Sequence, residues 1–178
     1  MRHLLLLLCF FLIVYIPSSE SNENTVARFA LVIGNQQYAQ SPLRNALNDA
    51  QAISTALSEM GFKVSLLKDA NSETMTQSVN DFYHAVHNDR SEDKLAVVYY
   101  AGHAIQINHA NYLIPLGIKF DSQDTFTSSL YHLSDLFIQM RKAPGLRNIV
   151  ILDACRNNPF EDSMNASINA NVSSGLAP

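Results

Sequence analysis

The sequence predicts an α/β protein in which helices cover both faces of a mostly parallel sheet. Four short runs rich in apolar residues lie at 29–33, 64–67, 95–100 and 149–152. Between these runs apolar residues recur at helical spacing. Strands that are apolar on both faces and alternate with helices are typical of parallel sheets with two covered faces. With 178 residues and no internal repeat, the chain fits one domain.

The first two predicted strands, 29–33 and 64–67, enclose one predicted helix. Its apolar face carries Ala46, Ala50, Ile53, Leu57 and Met60. Gly61 is suited to end this helix. A second helix is predicted to begin at Ser72, followed by the acidic Glu73. Its apolar residues are Met75, Val79, Phe82 and Val86.

The third predicted strand, 95–100, ends at Gly102. Short apolar runs at 105–107 and 112–114 are expected to pair as a hairpin. A third helix is predicted by Leu133, Leu136, Phe137 and Met140. The run at 149–152 is the fourth predicted strand of the sheet.

Residues 1–21 have the pattern of a secretory signal peptide. A basic start at 1–3 precedes thirteen apolar residues at 4–16, and small or polar residues follow at 17–21. Thirteen residues are too few to cross a bilayer, which takes about 20. We therefore expect export to the periplasm or the medium, with no membrane contact after the signal is removed. Cys155 is then the only cysteine of the mature chain.

Composition excludes several classes of protein. Twelve Lys and Arg stand against sixteen Asp and Glu, and no basic run is present, so no nucleic-acid partner is expected. Two cysteines are too few for a disulfide scaffold. His84 and His87 have helical spacing, but no third ligand accompanies them, so no metal and no other cofactor is expected.

Two reactive residues follow the third and fourth predicted strands. His103 comes after one strand and Cys155 after the other. In open parallel sheets, ligands bind beyond the carboxyl ends of the strands. A free thiol has a pKa of about 8.5, so a neighbouring imidazole is needed to take its proton at neutral pH. Either residue alone is more often structural, but the two together favour nucleophilic catalysis.

Five segments resemble caspase-like cysteine peptidases, and metacaspases and their bacterial counterparts are nearest. Residues 99–104 and 153–160 resemble the catalytic segments, and 30–35, 45–50 and 112–115 match in the family's order. The resemblance implies a three-layer caspase-like domain at 28–160. Residues 163–178 are rich in Asn, Ser and Ala with few apolar residues, so a flexible tail is predicted at 161–178.

The resemblance also assigns roles to individual residues. His103 matches the general acid/base and Cys155 the nucleophile of a cysteine endopeptidase. The backbone N–H groups of Cys155 and Ala104 match the oxyanion hole. The family usually has glycine where this chain has Ala104, and alanine is strained there only if its φ is positive. The sequence leaves that φ open.

The substrate preference follows from two carboxylates. In metacaspases, residues matching Asp49 and Asp153 form an acidic pocket for Arg or Lys, and we expect cleavage after those residues. Arg44 favours the opposite preference, since it lies near an arginine by which true caspases hold aspartate.

The fourth strand raises the question of a partner. Caspase-like domains continue with two further strands, so this chain is expected to be truncated after the fourth main strand. The run at 149–152 would then form an open apolar edge, which favours pairing with another chain. The expected partners are a peptide or protein substrate and a small-subunit-like chain or a second copy. The alternatives are that the tail covers the edge, and that the chain is a weakly active or inactive caspase-like binding module.

Overall fold

The computed structural model describes residues 26–119, 121–142, 145–155 and 172–173. The predicted signal peptide at 1–21 and most of the predicted tail at 161–178 lie outside the described residues. In the part that is described, no helix is long and apolar enough to span a bilayer.

A parallel sheet forms the centre of the molecule. The strands are β1 (Ala27–Gly34), β2 (Lys63–Lys68), β3 (Lys94–Ile107), β4 (Ala110–Leu113), β5 (Tyr131–His132), β6 (Leu146–Cys155) and β7 (Val172–Ser173). The helices are α1 (Ala46–Glu59), α2 (Ser72–Asn88), α3 (Gln123–Ser129) and α4 (Leu133–Met140). Parallel strands run in the order β2-β1-β3-β6. The predicted α/β architecture with four main parallel strands is therefore confirmed.

Helix α1 covers one face of the sheet, where Val32 and Tyr99 pack with Ala50. Its close approach depends on Gly34, because a Cβ there would lie 2.7 Å from the Ala50 Cβ. Small residues on both elements thus let the helix lie directly on β1.

Helices α2 and α4 cover the opposite face. Tyr100 of β3 packs there with Met75 and Val79 of α2 and with Leu136 of α4. Helix α2 is capped by Asn71 rather than by Ser72, since the Asn71 side chain accepts a 2.9 Å hydrogen bond from the Thr74 N–H.

Strand β3 differs from the prediction, because it continues through Gly102 to Ile107. Its last four residues pair antiparallel with β4, so the predicted hairpin is formed by the continuation of β3 itself. Asn108 and His109 make the turn with positive φ values of 48° and 66°. Strand β5 then pairs with β4.

Three short elements were not predicted: helix α3 and strands β5 and β7. Helix α3 carries one buried residue, Phe126, and so lacks an apolar period in sequence. Strand β7 lies in the segment expected to be a flexible tail, and it pairs antiparallel with Gln106 and Ile107 of β3. The chain therefore returns to the sheet at 172–173, although not beside β6.

Strand β6 is the outer strand of the parallel sheet. Within the described residues it pairs with β3 alone, which agrees with the predicted open edge. Val150 and Leu152 pack against the α2 and α4 core. Ile149 and Ile151 point to the other face and are 47% and 44% exposed. One face of β6 is thus covered and the other is bare.

Candidate active site

His103 and Cys155 are backbone neighbours. Strands β3 and β6 pair in parallel from Lys94 and Leu146 onwards, and the last pair in register is His103 with Cys155. Neighbouring strands lie about 4.8 Å apart. The structure therefore brings the backbones of the two predicted catalytic residues together at the carboxyl end of β6.

The imidazole of His103 is buried, at 3% exposure, and one of its nitrogens is oriented by the backbone. Its Nε2 atom lies 2.8 Å from the carbonyl oxygen of Ser41. Because a carbonyl oxygen only accepts, Nε2 carries the ring proton, and Nδ1 is the nitrogen left as a base. Ser41 has a left-handed backbone, with φ 54°.

Burial lowers the pKa of His103 from its ordinary value of 6.5, and the hydrogen bond to the Ser41 carbonyl opposes that shift. The ring is therefore neutral at pH 7. A neutral imidazole is the form that can accept a proton from a thiol.

Two buried tyrosines hold the backbone of His103. The Tyr38 hydroxyl accepts a 3.1 Å hydrogen bond from the His103 N–H and donates to the Ile114 carbonyl at 2.9 Å. The Tyr100 hydroxyl donates to the His103 carbonyl at 2.8 Å. Gly102 makes room for both tyrosines, since a Cβ there would lie 2.5 Å from the Tyr100 hydroxyl and 2.9 Å from that of Tyr38.

Ala104 lies inside β3, where it pairs with Leu113. It is not among the described residues with positive φ. Alanine is therefore unstrained at the position where the family usually has glycine. That the Ala104 and Cys155 N–H groups form an oxyanion hole stays a prediction.

Asp153 and Asp49 act on the same buried hydroxyl. Tyr99 donates a 2.9 Å hydrogen bond to Oδ2 of Asp153. Burial raises the pKa of Tyr99 well above its ordinary value, and the hydrogen bond to Asp153 and the charges of Asp153 and Asp49 raise it further. Both carboxylates thus lie on the α1 side of the sheet, and both residues are exposed, as is Arg44 at the bend before α1.

A separate cavity of about 400 Å³ lies between α2 and α4 on the other face of the sheet. Its lining includes Thr76, Asn80, Tyr131 and Asp135, and none of the predicted site residues. Among the described side chains, no group of three His, Cys, Asp or Glu residues is placed to hold a metal ion.

Sequence reasoning missed the Ser41 carbonyl and the two tyrosine hydroxyls. A backbone carbonyl has no signature in sequence, because every residue carries one. Tyr38 is 65 positions from His103, so no local pattern relates them. Only the short Tyr-Tyr-Ala-Gly-His segment at 99–103 offered a signal, since Tyr100 lies within it.

The fold and this arrangement define an α/β protein with a cysteine at the end of one strand and a buried histidine in register with it on the neighbouring parallel strand. The family model of the caspase domain matches residues 27–174, and the chain belongs to that family. This agrees with the resemblance on which the sequence prediction depended.

The fold is also found among solved structures. A crystallised protein of Geobacter sulfurreducens matches with a TM-score of 0.57 and 16% sequence identity, over 79% of this chain and 55% of that chain. The chain thus spans about half the length of that protein, and the likeness concerns the fold alone. A sequence comparison with curated proteins found no significant match.

Proposed function

We propose that the chain is the catalytic part of a cysteine endopeptidase that hydrolyses peptide bonds after Arg or Lys. The observation that carries the proposal is the in-register pairing of His103 with Cys155. Membership of the caspase-domain family supports the same chemistry.

The reaction begins with the neutral imidazole of His103. Its Nδ1 accepts the Cys155 thiol proton, while the Ser41 carbonyl holds Nε2–H and stabilises the imidazolium that forms. The thiolate attacks the scissile carbonyl carbon, and backbone N–H groups stabilise the oxyanion. The imidazolium then protonates the departing amine. Water, activated by His103, finally hydrolyses the thioester and releases the acid product and the free thiol.

The preference for Arg or Lys rests on charge. Asp49 and Asp153 are exposed carboxylates on the α1 side of the sheet, which is also the side of Tyr99. A cationic side chain before the scissile bond would be attracted by both. Arg44 is exposed as well, and it is the residue that would favour an acidic side chain.

The test is labelling of Cys155 by peptidyl electrophiles that differ only in an Arg, Lys or Asp at the residue before the reactive group. We expect stoichiometric labelling by the Arg and Lys reagents, loss of labelling in Cys155→Ala, and slow labelling in His103→Ala.

Asp153→Asn should reduce the preference for the Arg reagent over the Asp reagent, and Asp121→Asn is a matched control at an exposed loop residue. Faster reaction with the Asp reagent would refute the acidic pocket. Peptide binding without labelling would identify a non-catalytic module.

We also propose that the bare face and edge of β6 are covered by a small-subunit-like chain or a second copy. Exposed Ile149 and Ile151 support this. Light scattering after size-exclusion chromatography should show association, together with little turnover by the chain alone. A stable monomer with robust turnover would contradict the proposal.

Export is the remaining proposal, and residues 1–21 support it. Mass spectrometry of the mature protein should show a new N-terminus between Ser19 and Glu23. A soluble cytoplasmic protein that retains Met1 would contradict it.

A further inference from the structure

Tyr38 contacts His103 in two ways at once. Its hydroxyl bridges the His103 N–H and the Ile114 carbonyl. Its ring lies against the imidazole, with 4.5 Å between ring centroids and a 51° angle between the planes. Tyr100, in contrast, reaches His103 through the backbone carbonyl.

These contacts constrain the imidazole in addition to its hydrogen bond with the Ser41 carbonyl. The Ser41 carbonyl lies 2.8 Å from Nε2, and a hydrogen bond at one atom restrains the tilt of a ring less than contact with the ring itself does. The Tyr38 ring, 4.5 Å from the imidazole between centroids, limits such a tilt on the side where the two rings meet. Since Tyr38 is itself buried, the same ring also keeps water away from the imidazole.

We propose that Tyr38 is a positioning residue for His103: its hydroxyl fixes the backbone of His103, and its ring holds the imidazole against the Ser41 carbonyl and excludes water. The inference rests on the proposed dyad but concerns a residue outside it. Tyr38 is buried, so its effect should fall on kcat and not on KM.

Two substitutions separate the roles of the ring and the hydroxyl. Tyr38→Phe keeps the ring and removes the hydroxyl, and it should slow kcat and Cys155 alkylation by iodoacetamide roughly 3- to 10-fold, the value of one hydrogen bond. Tyr38→Leu removes both, and it should slow them about 100-fold, as small misplacements of catalytic groups do. KM should stay unchanged in both variants.

The pKa of His103 supplies a readout that a merely structural role would not move. NMR titration of ¹⁵N-labelled histidine, with the signal assigned through His103→Gln, should show a low pKa in the wild type and in Tyr38→Phe. In Tyr38→Leu the pKa should rise towards its ordinary value, because water reaches the ring.

Tyr83→Phe is the matched control. Tyr83 is also buried, and its hydroxyl donates to Asn148 at 3.2 Å on the opposite face of the sheet. The variant should lose similar stability while leaving the His103 pKa and the alkylation rate unchanged.

The outcomes distinguish this inference from the proposed function. A wild-type alkylation rate that does not depend on His103 would refute the dyad, while the NMR titration would still decide the role of Tyr38. Unchanged alkylation in Tyr38→Phe, or an unchanged His103 pKa in a folded Tyr38→Leu, would overturn the inference. If Tyr38→Leu fails to fold, the Phe variant alone decides it.

Discussion

The surroundings of His103 and the end of β6 are two halves of one candidate site, and they are built differently. His103 is buried, and tyrosine hydroxyls and the Ser41 carbonyl hold its backbone and its ring. On the neighbouring strand β6, in contrast, Ile149 and Ile151 are exposed. The surroundings of His103 are thus completed by the described residues themselves. Strand β6, which carries Cys155, retains an exposed surface that further packing can cover.

Burial explains why these halves should respond differently to mutation. In the His103 half, the hydroxyls of Tyr38 and Tyr100 and the Ser41 carbonyl are hydrogen-bonded to His103, so removing one of them leaves its partner unsatisfied in a dry environment. On the bare face of β6, water replaces whatever a mutation removes. Substitutions of one residue type in both regions therefore test the comparison directly.

The largest contrast is expected between two isoleucines. Ile33 is 1% exposed in the α2 and α4 core, and Ile33→Ala should lower the free energy of unfolding by about 2–5 kcal/mol. Ile151→Ala on the bare face should cost less than about 1 kcal/mol. Urea denaturation measures both. A large cost for Ile151→Ala that grows with protein concentration would show that another copy covers this face.

A glycine pair gives the next effect. Gly102→Ala should cost about 3 kcal/mol, because its Cβ would clash with the buried hydroxyls of Tyr100 and Tyr38. Gly117→Ala is the control: it has open space but a φ of +72°, so only backbone strain of about 1 kcal/mol is expected. Equal costs for both variants would mean that the tyrosines move aside readily. The NMR signal of His103 should change in Gly102→Ala alone.

The contrast between buried and exposed residues also explains which features could be predicted from the sequence. The apolar runs at 29–33 and 95–100 are signals of buried strands, and a His or Cys directly after such a run is visible without a structure. The extent of β3 was not predictable, because a glycine directly after an apolar run is typical of the end of a strand. Gly102 lies inside β3, and its lack of a side chain leaves room for the hydroxyls of Tyr38 and Tyr100. Contacts between distant segments, such as that of Ser41 with His103, have no local pattern.

A smaller effect concerns the exposed half. Tyr99 donates to Asp153, whose own exposure weakens the hydrogen bond by admitting water. A double-mutant cycle with Tyr99→Phe and Asp153→Asn should give a coupling energy of about 1 kcal/mol in the free energy of unfolding. A coupling near zero would mean that water satisfies both groups equally well, and the Tyr99 hydroxyl would then have no role in orienting Asp153.

The smallest expected effect is on the pH dependence of stability, and it comes from the imidazoles of His103 and His87. Burial lowers the pKa of His103 below 6.5, so above that pH the ring is neutral in both the folded and the unfolded chain and contributes nothing to pH dependence. Below pH 6.5 the unfolded chain binds the proton first, and the free energy of unfolding should fall until the folded ring is protonated too. His103→Asn should remove this part of the acid sensitivity.

Burial, and then the charge of Lys142, also lower the pKa of His87, so His87→Asn should reduce the acid sensitivity of stability in the same way. The two variants should differ in the reactivity of Cys155. Only His103→Asn should abolish the fall in the rate of Cys155 alkylation at acid pH. If His87→Asn changes the pH dependence of the alkylation rate as much as His103→Asn does, His103 is not the imidazole that controls the Cys155 thiol. The result would contradict the assignment of His103 as its base.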